Sequence, residues 1–172
     1  MKRVPMLLLA AGLLMAARPS LPQLGPHNMQ AEKFIEYITV ASPYTQWATW
    51  PGKGKLFASK DPTSHGPLIT TYVNGAALLS IAEMKGMADG SIIVVENYTA
   101  DRQLAGLTTM YKVAGYNKEA GDWYWVEATP GGNVISFGKV RACIDCHSAQ
   151  ASNDYVWTAE TVSGKYKPTA VP

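Results

Sequence analysis

The chain has 172 residues, 47% hydrophobic and only 16% charged, which suits one folded domain and excludes a disordered or charge-driven binder. Fifteen basic against thirteen acidic residues give a formal charge of +2. Two of the basic residues, Lys2 and Arg3, lie in a leading segment whose removal leaves 13 against 13, so no nucleic-acid partner is expected.

Met1-Lys2-Arg3 is a positive start, and residues 4–17 are an apolar run of fourteen ending in Met15-Ala16-Ala17 before Arg18-Pro19. At about 1.5 Å per residue this run is too short for a bilayer core of about 30 Å. It has the form of a secretory h-region followed by small residues suited to cleavage. Residues 1–17 are therefore expected to be a signal peptide and the protein to be periplasmic; a core helix and a retained N-terminal membrane anchor are the competing readings. Residues 18–28 form a Pro- and Gly-rich extended lead-in, and residues 29–172 a single domain.

Ala31, Phe34, Ile35 and Ile38 recur at helical spacing, which predicts a helix over residues 29–40 with Asn28 as its cap. Ser42-Pro43 ends it and starts a short helix through Trp47; residues 51–66 read as loop. Residues 68–73 alternate as a strand, and Asn74 is placed to cap a helix running to Met84. Residues 91–98 (SIIVVENY) read as a buried strand, residues 107–113 and 122–129 as strands joined by a Gly-Tyr-Asn loop, and residues 134–138 as a last strand after a Pro-Gly-Gly-Asn turn. Helices followed by four or five strands on short turns predict an α+β domain. Its expected form is a mostly antiparallel sheet with the N-terminal helices on one side and a C-terminal segment carrying the remaining motif.

That motif is Cys143-Ile144-Asp145-Cys146-His147, which holds both cysteines of the chain. C-x-x-C-H is the attachment sequence of haem c: two thiols form thioethers with the haem vinyl groups, and the adjacent imidazole becomes the proximal iron ligand. Covalent attachment also suits an exported protein. A structural disulfide would close a very short loop and contribute little chain-entropy stabilisation. A redox dithiol of the thioredoxin kind belongs in a βαβ unit, which the pattern lacks. A zinc site would need further ligands, and the remaining histidines are only His27 and His65. One covalent haem c per chain, held by Cys143 and Cys146 with His147 on the iron, is the expectation.

Only 25 residues follow His147, and none is methionine; outside the leading segment the methionines are Met29, Met84, Met87 and Met110. The usual downstream methionine of an electron-transfer cytochrome c is therefore missing. The Val/Ile/Tyr/Trp-rich stretch over 91–138 also excludes a four-helix cytochrome c′.

Across roughly residues 64–158 the chain resembles the cytochrome P-460 family, which includes the β-sheet cytochromes c′. The likeness rests on His65-Gly66, Tyr72-Val73-Asn74, Asp89-Gly90 with the strand through Glu96, Met110-Tyr111-Lys112 and Gly115-Tyr116-Asn117. It continues through Gly121-Asp122-Trp123-Tyr124-Trp125, Gly138-Lys139-Val140, the C-x-x-C-H run and Asn153-Asp154-Tyr155-Val156. The resemblance implies a homodimer with a five-coordinate haem facing a sheet-walled pocket. It also implies either binding of small ligands such as nitric oxide, coupled to electron transfer with a redox partner protein, or oxidation of hydroxylamine or nitric oxide. Members of the second kind bond a lysine to the haem, just before the strand's glutamate. Here that position is Val95, which has no amine and disfavours hydroxylamine oxidation.

Val95, with Ile93 and Met110, is the candidate distal wall, against core packing as the plainer role. A pocket of such residues favours neutral diatomics over charged substrates. Lys112 is a substitute cross-linking amine only if it points inward; a solvent-facing lysine is the expectation. His65 is read as structural rather than as a distal ligand. Lys139 and Arg141 are candidates for the haem propionates or are solvated charges, and Trp123 and Trp125 are sheet core or dimer interface. Asn153-Asp154 is a candidate for orienting the C-terminal segment or His147, whose second nitrogen needs an acceptor.

Overall fold

Short connections between successive β-rich stretches bring them into one antiparallel sheet, β1 (Ala48–Thr49), β2 (Phe57–Ala58), β3 (Leu68–Val73), β4 (Ile92–Tyr98), β5 (Leu104–Lys112), β6 (Trp123–Ala128) and β7 (Val134–Gly138). The computed structural model describes residues 30–159 and 161; the expected signal segment, the lead-in and the Asn28 cap lie outside them. From β3 to β7 the strands follow one another in sequence order, while β1 and β2 both pair with the outer side of β3. The β4–β5 turn closes through a Thr99 N–H bond to the Gln103 carbonyl, 2.9 Å. In the β5–β6 connection the Asp122 carboxylate accepts from the Gly115 and Asn117 N–H groups.

Among the described residues, α-helices complete the α+β domain: α1 (Ala31–Glu36), α2 (Pro62–His65), α3 (Gly75–Glu83) and α4 (Arg141–His147). Beyond α1 the chain continues in wider π-type turns over Tyr37–Ala41. Asn74 caps α3 as the sequence predicts, its Oδ1 accepting from the Ala77 N–H at 2.9 Å. α2 starts on Asp61, whose carboxylate accepts from the Thr63 and Ser64 N–H groups. The stretch expected to be loop therefore contains β2 and α2. Neither has a periodic pattern, and the two residues of β2 are ordered by pairing with β3.

Helices occupy both faces of the sheet, not one. Alternate residues of a strand face opposite sides. On one face Ile92, Val94, Tyr124 and Val126 pack against Phe34 and Ile35 of α1 and Ile38 of the turns that follow it. Phe34 stacks on Tyr111 with ring centroids 5.4 Å apart and meets Tyr124 edge-on at 6.3 Å. This face also holds the buried Glu96 carboxylate, which accepts from the hydroxyls of Tyr44 (3.0 Å) and Tyr98 (2.6 Å). Burial, with the carboxylate beside it, pushes the Tyr98 hydroxyl up to about 12. On the opposite face Ile93, Met110 and Trp125 lie in register across β4, β5 and β6, below α4. Two covered faces explain the nearly continuous apolar run of β4.

Candidate functional site

Cys143, Cys146 and His147 stand at positions i, i+3 and i+4 of α4, which puts them on one helix face. The other side faces solvent, where Arg141 Nε donates to the Asp145 carboxylate one turn on. All three motif residues line a cavity of about 490 Å³, within the range of roughly 300–1,000 Å³ usual for cofactor pockets. Its floor is the second sheet face, including Ile93, Val95, Met110 and Trp125; its far wall comes from the segment between β1 and β3, including Phe57 and His65.

His147 is 9% exposed and packs edge-on against Trp125, ring centroids 4.7 Å apart. Its Nδ1 lies 2.6 Å from the Tyr155 carbonyl oxygen. A carbonyl only accepts, so Nδ1 carries the hydrogen and Nε2 keeps its lone pair for a metal. Burial holds the imidazole down at about 4, against the opposing pull of the carbonyl bond and with a small contribution from His65. The ring is therefore neutral at physiological pH, as a ligand must be.

The thiols are unpaired, with no disulfide between them. Burial pushes the Cys143 thiol up to about 11, and the Glu127 carboxylate adds to the shift. A reactive dithiol needs the reverse, a thiol lowered toward thiolate, so this environment disfavours the thioredoxin-like reading. Among the described residues no group of three or more His, Cys, Asp or Glu is arranged to hold a metal ion.

Other candidates fall differently. Val95, Ile93 and Met110 line the cavity. So does His65, expected to be structural; it faces His147 at 6.2 Å between ring centroids, with Nδ1 held by Asn97 Oδ1 (3.1 Å) and Thr108 Oγ1 (3.2 Å). Gly66 makes the tight turn after it, at φ +69°, where a Cβ would lie 2.5 Å from the Tyr98 carbonyl oxygen. Lys139 and Arg141 are not brought to the cavity: Lys139 lies over the Tyr116 ring and Arg141 pairs with Asp145. The lysines that do line it are Lys53 and Lys60, which sit in a stretch with no motif to mark them. Trp123 and Trp125 share the cavity-side face and Tyr124 the other, as alternation requires.

Lys112 corrects both readings made of it. It is neither solvent-facing nor among the residues lining the cavity. Its side chain is 15% exposed, lies over the Trp123 ring and pairs with Asp154 at 2.5 Å. The acceptor for His147 is the carbonyl of Tyr155, next to the Asn153-Asp154 pair, and no side-chain signature in the sequence marks it.

A family model described as cytochrome P460 matches residues 44–158. The chain belongs to the cytochrome P460 family. No curated protein matches it. Family membership makes the chain a haem-binding cytochrome, and the residues present fit that group: two unpaired thiols and one neutral, oriented imidazole border a single apolar cavity.

Proposed function

We propose that this cytochrome P460 homologue is an exported mono-haem c protein that binds a small neutral ligand such as nitric oxide. The observation that carries the reading is the convergence of Cys143, Cys146 and a neutral His147 from one helix face on one apolar cavity. Haem held there would supply an iron able to bind a diatomic and to exchange one electron with a redox partner protein. Cys143 and Cys146 would hold the group through thioethers, and His147 would coordinate its iron through Nε2. Val95, Ile93 and Met110 present hydrocarbon to the cavity, and at that wall a charged substrate would lose its hydration without gaining a partner. Hydroxylamine oxidation is disfavoured because Val95 stands at the cross-link position and Lys112 is held by Asp154.

A second reading rests on His65. Its place in the same cavity, across from His147, suits a sixth ligand and hence a plain electron carrier. Absorption and electron paramagnetic resonance spectra of the haem-loaded protein, with and without nitric oxide, separate the two. A high-spin ferrous form that takes up nitric oxide is expected. A low-spin iron in both oxidation states that becomes high-spin in His65→Ala assigns the sixth ligand to His65. A strongly red-shifted ferrous Soret band surviving denaturation would reveal a lysine bond and return the enzyme reading.

The apolar run before Arg18 supports export to the periplasm. A homodimer is supported by β7, an edge strand bearing Ile135 and Phe137 at 68% and 55% exposure. Light scattering is expected to find a dimer that Phe137→Glu converts to monomer; a monomeric parent protein would remove this part of the reading.

A further inference from the structure

Asp154 and Tyr155 are consecutive non-glycine residues in the left-handed region, with φ of +54° and +65°. Such a conformation is unfavourable, the more so for a bulky residue such as Tyr155, and persists only where its surroundings over-determine it. Here they do. The Asp154 side chain accepts from Lys112 Nζ on β5 (2.5 Å) and from the Met87 N–H after α3 (2.6 Å), and its own carbonyl accepts from Trp123 Nε1 on β6 (3.0 Å). Tyr155 is fixed by its N–H on the Gln150 carbonyl (2.8 Å) and its hydroxyl on the Glu119 carbonyl (3.2 Å). Its ring lies over Gly121, where a Cβ would come within 2.7 Å. Asn153, itself buried, donates through Nδ2 to the Val156 and Ala159 carbonyls. What all of this holds in place is one carbonyl oxygen, 2.6 Å from His147 Nδ1.

We propose that the Lys112–Asp154 pair is a positioning device that keeps the Tyr155 carbonyl on His147 and so sets the donor strength of that imidazole toward the haem iron. The inference rests on the proposed ligation by His147. A hydrogen bond accepted from the far nitrogen makes an imidazole a stronger donor, which favours the ferric state and lowers the reduction potential. The pair is well suited to this task. It joins the C-terminal segment to β5, an interior strand of the sheet, and at 15% exposure on both sides it is shielded from solvent screening. Removing either charge leaves the other, largely shielded from water, without its ion-pair partner, so the strained segment loses its one charged tether to the sheet.

The test uses haem-loaded Lys112→Met, Asp154→Asn and Lys112→Arg. Pyridine haemochrome spectra establish that each carries covalent haem before spectroelectrochemistry and resonance Raman are read. Lys112→Met and Asp154→Asn are expected to raise the potential by a roughly tenfold change in the ferric-to-ferrous ratio, about 59 mV for one electron, and to lower the iron–histidine stretching frequency. Lys112→Arg, which keeps the charge, is expected to stay near the parent values. Asp154→Asn retains an oxygen for the Met87 N–H and serves if Lys112→Met fails to fold. A lowered melting temperature with unchanged potential and stretching frequency would overturn the proposal and leave the pair a purely structural contact. Absence of covalent haem from the parent protein would instead overturn the proposed function, and this inference with it.

Discussion

The two faces of the sheet are built from the same strands yet do different work. On the α1 face Phe34, Tyr111, Tyr124 and Tyr44 interlock with aliphatic side chains, and the buried Glu96 carboxylate is satisfied by two tyrosine hydroxyls. On the α4 face the same register leaves a cavity of about 490 Å³ bordered by two thiols and two histidines. One face spends its apolar residues on packing, and the other keeps its apolar residues apart to leave room for a group. Adjacent residues such as Val94 and Val95 therefore have different meanings although the sequence makes them look alike.

Substitutions should separate these roles. The largest effect is expected from Cys143→Ala/Cys146→Ala, which should abolish covalent haem in a haem-stained gel while leaving the near-ultraviolet dichroism of the α1-face aromatics in place. If covalent haem survives, the attachment reading fails. Phe34→Ala removes a fully buried ring from the α1 face and should cost about 3–5 kcal/mol in urea unfolding, with haem attachment intact. A loss under 1 kcal/mol would mean that this face is not the stabilising one.

Third in size is a pH effect on the cavity side. In the haem-free chain His147 titrates at about 4 when folded and at the ordinary value of 6.5 when unfolded. Between these values the unfolded chain binds more protons. This contribution to stability is therefore fully present above pH 6.5 and is lost as the pH falls toward 4, by roughly 3 kcal/mol at most. The His147→Gln variant should lack that part of the slope in denaturant titrations at pH 7, 5.5 and 4; parallel profiles would contradict it. The smallest of the four is Tyr44→Phe, which removes the 3.0 Å bond to Glu96 and should cost about 1.5–3 kcal/mol without altering the haem spectrum. A spectral change there would show that the two faces are coupled.

Strong local patterns were legible in advance. β3 and β7 have the residues that alternation and turn chemistry predict, and Asn74 caps its helix. β5 starts three residues before its expected position, at Leu104, because pairing with β4 extends it past Gly106, a residue that reads as a break. β1 and β2 were not legible, since two-residue strands carry no period and exist only through β3. Helices were expected on one side because the pattern runs from helices to strands on short turns, whereas β4 is apolar on both faces and is covered on each.

The site divides in the same way. The proposed covalent attachment rests on five consecutive residues, since thiols and imidazole must reach one group from one turn of helix. The partners of those residues were not. Lys112 and Asp154 are 42 positions apart, and a lysine's charge gives no sign of whether it meets water or a carboxylate. The acceptor at Tyr155 is a backbone carbonyl, a group every residue possesses, and only the left-handed turn there aims it at His147. By itself the sequence determined which atoms are available to hold a cofactor, because that depends on residue type and local spacing. The tertiary structure decided how those atoms are oriented and what surrounds them, because burial and long-range pairing arise only when the sheet brings distant segments together.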